Sequence, residues 1–283
     1  MSQFSTLQHE ADGLSAGLPP LMVEADHLAA SVSLGVHGRR RAGMGESFWQ
    51  FRRYASHDSS AAIDWRQSAK SQHIFVRERE WEAAQTVWFW RDASANMAFK
   101  SGAVSKRARA DLLLMALASL LVRGGERVGF VGMDGAPASS RLALTRIGRA
   151  LYAKGDSALP PRAPFARGNQ LVWFSDFLDT SALEAMKDFS RRGMSGHLVR
   201  IVDPAEEEFP YNGRTRFESP LGESDEIFGR AERVRAAYRT RFSAHGEQVA
   251  DAALRLGWTC TTHRTDHAPQ SSLIALHAAI GGT

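Results

Sequence analysis

The chain has 283 residues, 35 Lys plus Arg against 31 Asp plus Glu, and a single cysteine. A net charge of +4 is too small to imply a nucleic-acid or membrane partner by itself. One cysteine rules out a disulfide framework or a Cys-rich zinc module, and a reducing, cytoplasmic setting is expected. The longest apolar stretch, Leu112 to Val122, falls well short of the roughly 20 residues that cross a bilayer. The start of the chain carries Glu10 and Asp12 and no basic segment, so no signal peptide is expected there.

Residues 1–30 form a lead-in, irregular as far as Pro19-Pro20, with a short helix expected over Leu21–Ala30. Residues 31–84 differ in texture. Gly35, Gly38, Gly43 and Gly45 punctuate segments rich in Arg and aromatics, and Ile63-Asp64-Trp65 and Ile74-Phe75-Val76 read as strands. Residues 36–80 hold nine Lys or Arg against five acids, which makes a basic, β-rich extension.

Residues 85–283 alternate strand and helix. The run Thr86 to Trp90 is apolar throughout, as in a strand covered on both faces. A buried helix over Ser105–Arg123 follows, stopped by Gly124-Gly125. Further strands are expected at Arg127–Met133, Leu171–Ser175, His197–Val202 and Trp258–His263. Further helices are expected at Leu142–Tyr152, Thr180–Arg192, Ser224–Leu256 and Ser271–Ile280. This alternation predicts an α/β fold with a doubly wound, mainly parallel sheet.

Ligands of such sheets bind beyond the carboxyl ends of the strands. Two strands end on an acid there: Asp92, in Asp92-x-Ser94-x-Asn96, and Asp176. Carboxylates, a hydroxyl and an amide oxygen from two adjacent loops form an oxygen-lined pocket suited to Mg²⁺ or Mn²⁺. The competing reading is that Ser94 or Asn96 caps the next helix.

These residues resemble the metal-ion-dependent adhesion site of von Willebrand factor A domains, with Asn96 where serine is usual and Arg91 beside the first acid. Thr145, the only threonine between the two acids, falls in an expected helix. More of the chain resembles the bacterial domain-of-unknown-function 58 family: Gly43-x-Gly45-x-x-Phe48, Tyr54, Asp58, Ile63-Asp64-Trp65-Arg66, Ser68-Ala69-Lys70 and Val76-Arg77-Glu78. Asp203-Pro204-Ala205-Glu206, Phe209-Pro210, Tyr238 and Leu256-Gly257-Trp258 agree. His57 and Ala61 stand where that family usually has glycine and arginine. The resemblance implies a von Willebrand factor A-like domain with a β-rich N-terminal extension. It also implies a protein-binding role beside a MoxR-type AAA+ ATPase.

The leading expectation is a non-enzymatic adaptor with a cation at Asp92, Ser94, Asn96 and Asp176. A metal-dependent phosphate-ester hydrolase at the same pocket is the alternative, and nucleic-acid binding by the basic extension, with Arg39-Arg40-Arg41, is a third reading. For Asp64 and Trp65 a buried ion pair and a packing anchor are expected over a docking face. Gly13-Leu-Ser15-Ala-Gly17 lacks the strand–turn–helix setting of a nucleophile elbow. Cys260-x-x-His263-x-x-x-His267 is expected to place a buried Cys and exposed histidines rather than a zinc site.

Overall fold

The computed structural model describes residues 20–33, 48–55, 60, 63–79, 84–153, 155–163, 165–218 and 225–281. The chain divides into two compact units, residues 37–84 and the remainder.

In the smaller unit, β1 (Phe48–Arg53) pairs antiparallel with β2 (Phe75–Arg79). Between them, Ile63 makes one isolated bridge to Val76, and a four-residue helix, α2 (Trp65–Ser68), follows. The strand expected at Ile63-Asp64-Trp65 is therefore corrected. Asp64 instead caps α2, its side chain accepting from the Gln67 N–H at 2.9 Å. Trp65 is 66% exposed, so the buried packing role expected of it is corrected.

The larger unit begins with α1, a helix over residues 20–33. Its buried residues Ala25, Leu28, Ala29 and Val32 fall at i, i+3, i+4 and i+7, one apolar stripe turned into the core. Then follow β3 (Thr86–Arg91), α3 (Lys106–Arg123), β4 (Arg127–Phe130), α4 (Arg141–Tyr152), β5 (Gln170–Ser175), α5 (Ala182–Arg191) and β6 (Ser195–Val202). A short α6 (Pro204–Glu208), a β7 (Thr215–Phe217) and β8 (Glu226–Phe228) hairpin, α7 (Arg235–Arg255), β9 (Thr259–Arg264) and α8 (Pro269–Ile280) complete it.

Five strands form one parallel sheet in the order β4-β3-β5-β6-β9. Beyond β4, Ala138 adds a single antiparallel bridge to Val128. Every residue of β5 is buried, as a central strand covered on both faces requires. The core helix α3 starts at Ser105, whose side chain accepts from the Ala108 N–H, and buries Leu112 through Leu121. It packs on the sheet with α4 and α8 beside it, while α5 and α7 form a second group on β6 and β9.

One expected element is replaced. The helix expected from Ser224 begins only at Arg235, because Glu226–Phe228 is a strand of the β7–β8 hairpin, with Phe228 edge-on to Phe217. Ile227 and Phe228 are strand formers bounded by Gly229, a short-range preference that outweighed the helical spacing around them.

Candidate functional site at the carboxyl edge of the sheet

Three adjacent strands each end one residue before an acid: Asp92 after β3, Asp176 after β5 and Asp203 after β6. From β3 the chain crosses to β4 on one side, and from β5 to β6 on the other. Asp92 and Asp176 thus flank the switch point of the sheet, the position at which open α/β sheets form their ligand crevice.

Asp92 is 1% exposed. Its Oδ1 accepts from the Ser94 N–H (2.8 Å) and its Oδ2 from the Ser175 hydroxyl (2.7 Å). Burial raises its pKa, Ser175 and Ser94 oppose the shift, and the charge on Asp176 adds to it, so the two carboxylates lie within electrostatic reach. The Ser94 hydroxyl lies beside Asp92, buried and without a well-formed hydrogen bond. It stands before a 3₁₀ turn, Ala95–Ala98, but makes no cap bond, so the capping alternative is not met by Ser94. Asn96 is half-buried in that turn. Arg107 holds the loop, donating to the carbonyls of Ala93 and Ser94 at 3.0 Å each.

Asp176 accepts from the Leu178 N–H through Oδ1 (3.0 Å) and from Lys106 Nζ through Oδ2 (2.8 Å). The next residue, Phe177, is buried with φ +59°, a left-handed conformation unfavourable for an aromatic residue. Lys106, in the first turn of α3, is fully buried, and its ammonium also meets Glu206 Oε1 at 2.5 Å. Burial pushes the Lys106 pKa down, but Asp176 and Glu206 outweigh it and the net shift is upward, so the side chain stays charged. Glu206 closes a capping box on α6 by accepting from the Asp203 N–H (2.9 Å). Asp203 in turn accepts from the Ala205 N–H, the Ser101 N–H and the Ser101 hydroxyl, joining the loops after β3 and β6.

Arg91 points away from the crevice. It donates to Asp111 Oδ1 (2.9 Å) and to the carbonyls of Asp92 (3.2 Å) and Leu151 (2.6 Å). Asp111 has its pKa pushed up to about 6 by burial, with Arg91 and Arg107 opposing. Thr145 lies within α4, bonded to the Arg141 carbonyl.

Lys106, Ser175 and Glu206 were not singled out from sequence as site residues. Lys106 carried a signal: it shares an i, i+4, i+7 stripe with buried Ala110 and Leu113, and a charge on a core stripe demands a partner. A further side chain, His245 of α7, donates from Nε2 to the Phe177 carbonyl at 2.9 Å. His197 lies six residues before Asp203 on β6, about 20 Å down the strand, held by Thr259 and Gln170. His73 is exposed in the smaller unit.

On β9 the expected pattern is corrected in part. Cys260 is half-buried and His267 exposed, but His263 is buried, its Nδ1 paired with the Ser272 hydroxyl at 2.7 Å. Among the described residues no three His, Cys, Asp or Glu side chains converge as metal ligands. Gly13 to Gly17, Gly35, Gly38, Arg39 to Arg41, Gly43, Gly45, His57, Asp58 and Ala61 lie outside the described residues.

Residues 50–248 match a family model described as a protein of unknown function, DUF58. No curated protein matches the chain. Among solved structures, the conserved hypothetical protein BatB from Bacteroides thetaiotaomicron is 15% identical, with a TM-score of 0.39 over 71% of this chain and 98% of that one. An aerotolerance-related membrane protein from Bacteroides fragilis is 17% identical, with a TM-score of 0.38 over 71% and 100%. The PilB minor pilin from Streptococcus sanguinis is 13% identical, with a TM-score of 0.32 over 74% and 64%. None of the three scores reaches 0.5.

Proposed function

The chain belongs to the DUF58 family, and from the crevice geometry we propose that it is a non-enzymatic protein-interaction module. Its docking face is the carboxyl edge of the parallel sheet. Following the family resemblance, the proposed partner is a MoxR-type AAA+ ATPase, met in the cytoplasm. The proposed fold is von Willebrand factor A-like. Supporting that are the sheet order β4-β3-β5-β6-β9 and the antiparallel bridge of Ala138 outside β4.

The observation that carries the proposal is the placement of Asp92 and Asp176 at adjacent strand ends, linked through the Ser175 hydroxyl, which donates to Asp92. Their oxygens are held by fixed donors from Ser94, Ser175, Leu178 and Lys106. Such an arrangement is preorganised for recognition.

The test is co-purification with a MoxR-type ATPase. Ser94→Ala with Asn96→Ala should lower capture at least tenfold while leaving the melting temperature within a few degrees. Phosphomonoester turnover by the wild type that disappears in Asp176→Ala would overturn the proposal in favour of a hydrolase.

A further inference from the structure

We propose that the ammonium of Lys106 is the resident cation of this crevice, standing where the Asp-x-Ser-x-Asn pattern leads one to expect Mg²⁺ or Mn²⁺, so that the site works without a metal. The ammonium lies 2.8 Å from Asp176 and 2.5 Å from Glu206, on a side chain only 1% exposed. A divalent ion would need Asp176 as its second anionic ligand. One of that carboxylate's oxygens already holds the ammonium, and the other accepts the Leu178 N–H. A second cation seated on the same group would meet the repulsion of a buried positive charge at close range.

The helix does not explain where Lys106 sits. A cation in the first turn of a helix opposes the macrodipole, so the acids must hold it there. A tethered ammonium has properties that a bound ion lacks. It is present at full occupancy whatever the metal concentration, and two of its three donors tie the start of α3 to the loops after β5 and β6. The residues left on the Asp92 side, including the buried Ser94 hydroxyl beside that carboxylate, keep the oxygen ligands of a cation site whose charge is supplied internally.

The inference concerns the same crevice but does not rest on partner capture, because its readout is metal binding. Wild-type protein titrated with Mn²⁺ and followed by electron paramagnetic resonance should leave the free-ion signal unchanged up to 5 mM. Lys106→Met removes the charge at similar length and exposes Asp176 and Glu206 to the crevice. It should bind one Mn²⁺ at least tenfold more tightly than wild type, and adding Asp92→Asn should abolish that binding. Saturable one-site binding by the wild type that is lost in Asp92→Asn would overturn the proposal, as would a folded Lys106→Met variant that binds none. Lys106→Gln serves as the second variant. Should neither fold, the wild-type titration decides: one-site binding overturns the proposal, and none upholds it.

Discussion

Gly196 of β6 lies against the face of the Trp258 indole, so closely that a Cβ on Gly196 would stand 2.1 Å from Cε3 and 2.3 Å from Cδ2. The indole cannot yield. It is 3% exposed, belongs to the core and donates from Nε1 to the Met194 carbonyl at 3.2 Å. Gly196→Ala should therefore destabilise by about 3 kcal/mol, at or above the usual cost of overpacking. Trp258→Leu should cost a similar amount through lost burial. The double variant should cost clearly less than the sum, because the two residues compete for one space. Urea denaturation of the four proteins measures this, and strict additivity would disprove the contact.

Asp203 sits at the centre of a second cluster. Asp203→Ala removes the N-cap of α6, worth about 1 kcal/mol. It also leaves the Ser101 N–H and hydroxyl without their acceptor, at about 1 kcal/mol each. A loss of about 3 kcal/mol is expected, while Ser101→Ala, which deletes only the hydroxyl, should cost about 1. Equal losses from the two variants would show that neither the cap nor the Ser101 N–H bond contributes.

The strands that carry Asp92 and Asp176 were legible because β3 and β5 are apolar runs closed by an acid, the pattern of a strand buried on both faces. The placement of Asp92 and Asp176 on neighbouring loops followed from that reading and the parallel order. What was not legible depends on pairing in space. Nothing local says that Lys106 reaches across to Asp176, 70 residues on, or to Glu206, 100 residues on. Arg91 was the conspicuous cation in sequence, yet it turns toward Asp111 on α3, which strand alternation alone could not reveal. At Asp64 a legible signal pointed the other way: Asp64-x-x-Gln67 is a helix-start pattern, and the β-branched and aromatic neighbours Ile63 and Trp65 obscured it.

The helix before the basic extension is an integral part of the larger unit. Leu28 is 7% exposed within the core, and Asp26 accepts from the Ser119 hydroxyl of α3 at 2.6 Å. Leu28→Ala should cost about 2–3 kcal/mol. Asp26→Ala should cost about 1 kcal/mol, chiefly through the half-buried Ser119 bond, since the Arg123 pair is exposed. A chain starting after residue 34 should lose more than either variant and bind hydrophobic dye. Unchanged stability on that truncation would remove α1 from the core.

Acid should weaken the fold, and two buried histidines decide the sign. Burial lowers the pKa of His197 to about 4, and burial followed by the charge of Arg109 does the same for His263, each from 6.5. Between those values the unfolded chain holds protons that the folded one does not. Stability is therefore full above about pH 6.5 and is lost as pH falls toward 4, by about 1.4 kcal/mol per pH unit per histidine. Asp111 acts in the opposite direction: its pKa is raised from 3.8 to about 6, so in the folded state it takes up a proton over much of the same window. Asp92, also raised by burial, adds to the Asp111 side, so acidification costs less than the roughly 1.4 kcal/mol per unit that two histidines against one carboxyl would leave. His197→Gln should remove the loss on acidification between pH 4.5 and 6, whereas Asp111→Asn should steepen it. Urea midpoints measured across that range separate the two, and parallel curves for all three proteins would show that neither group drives it.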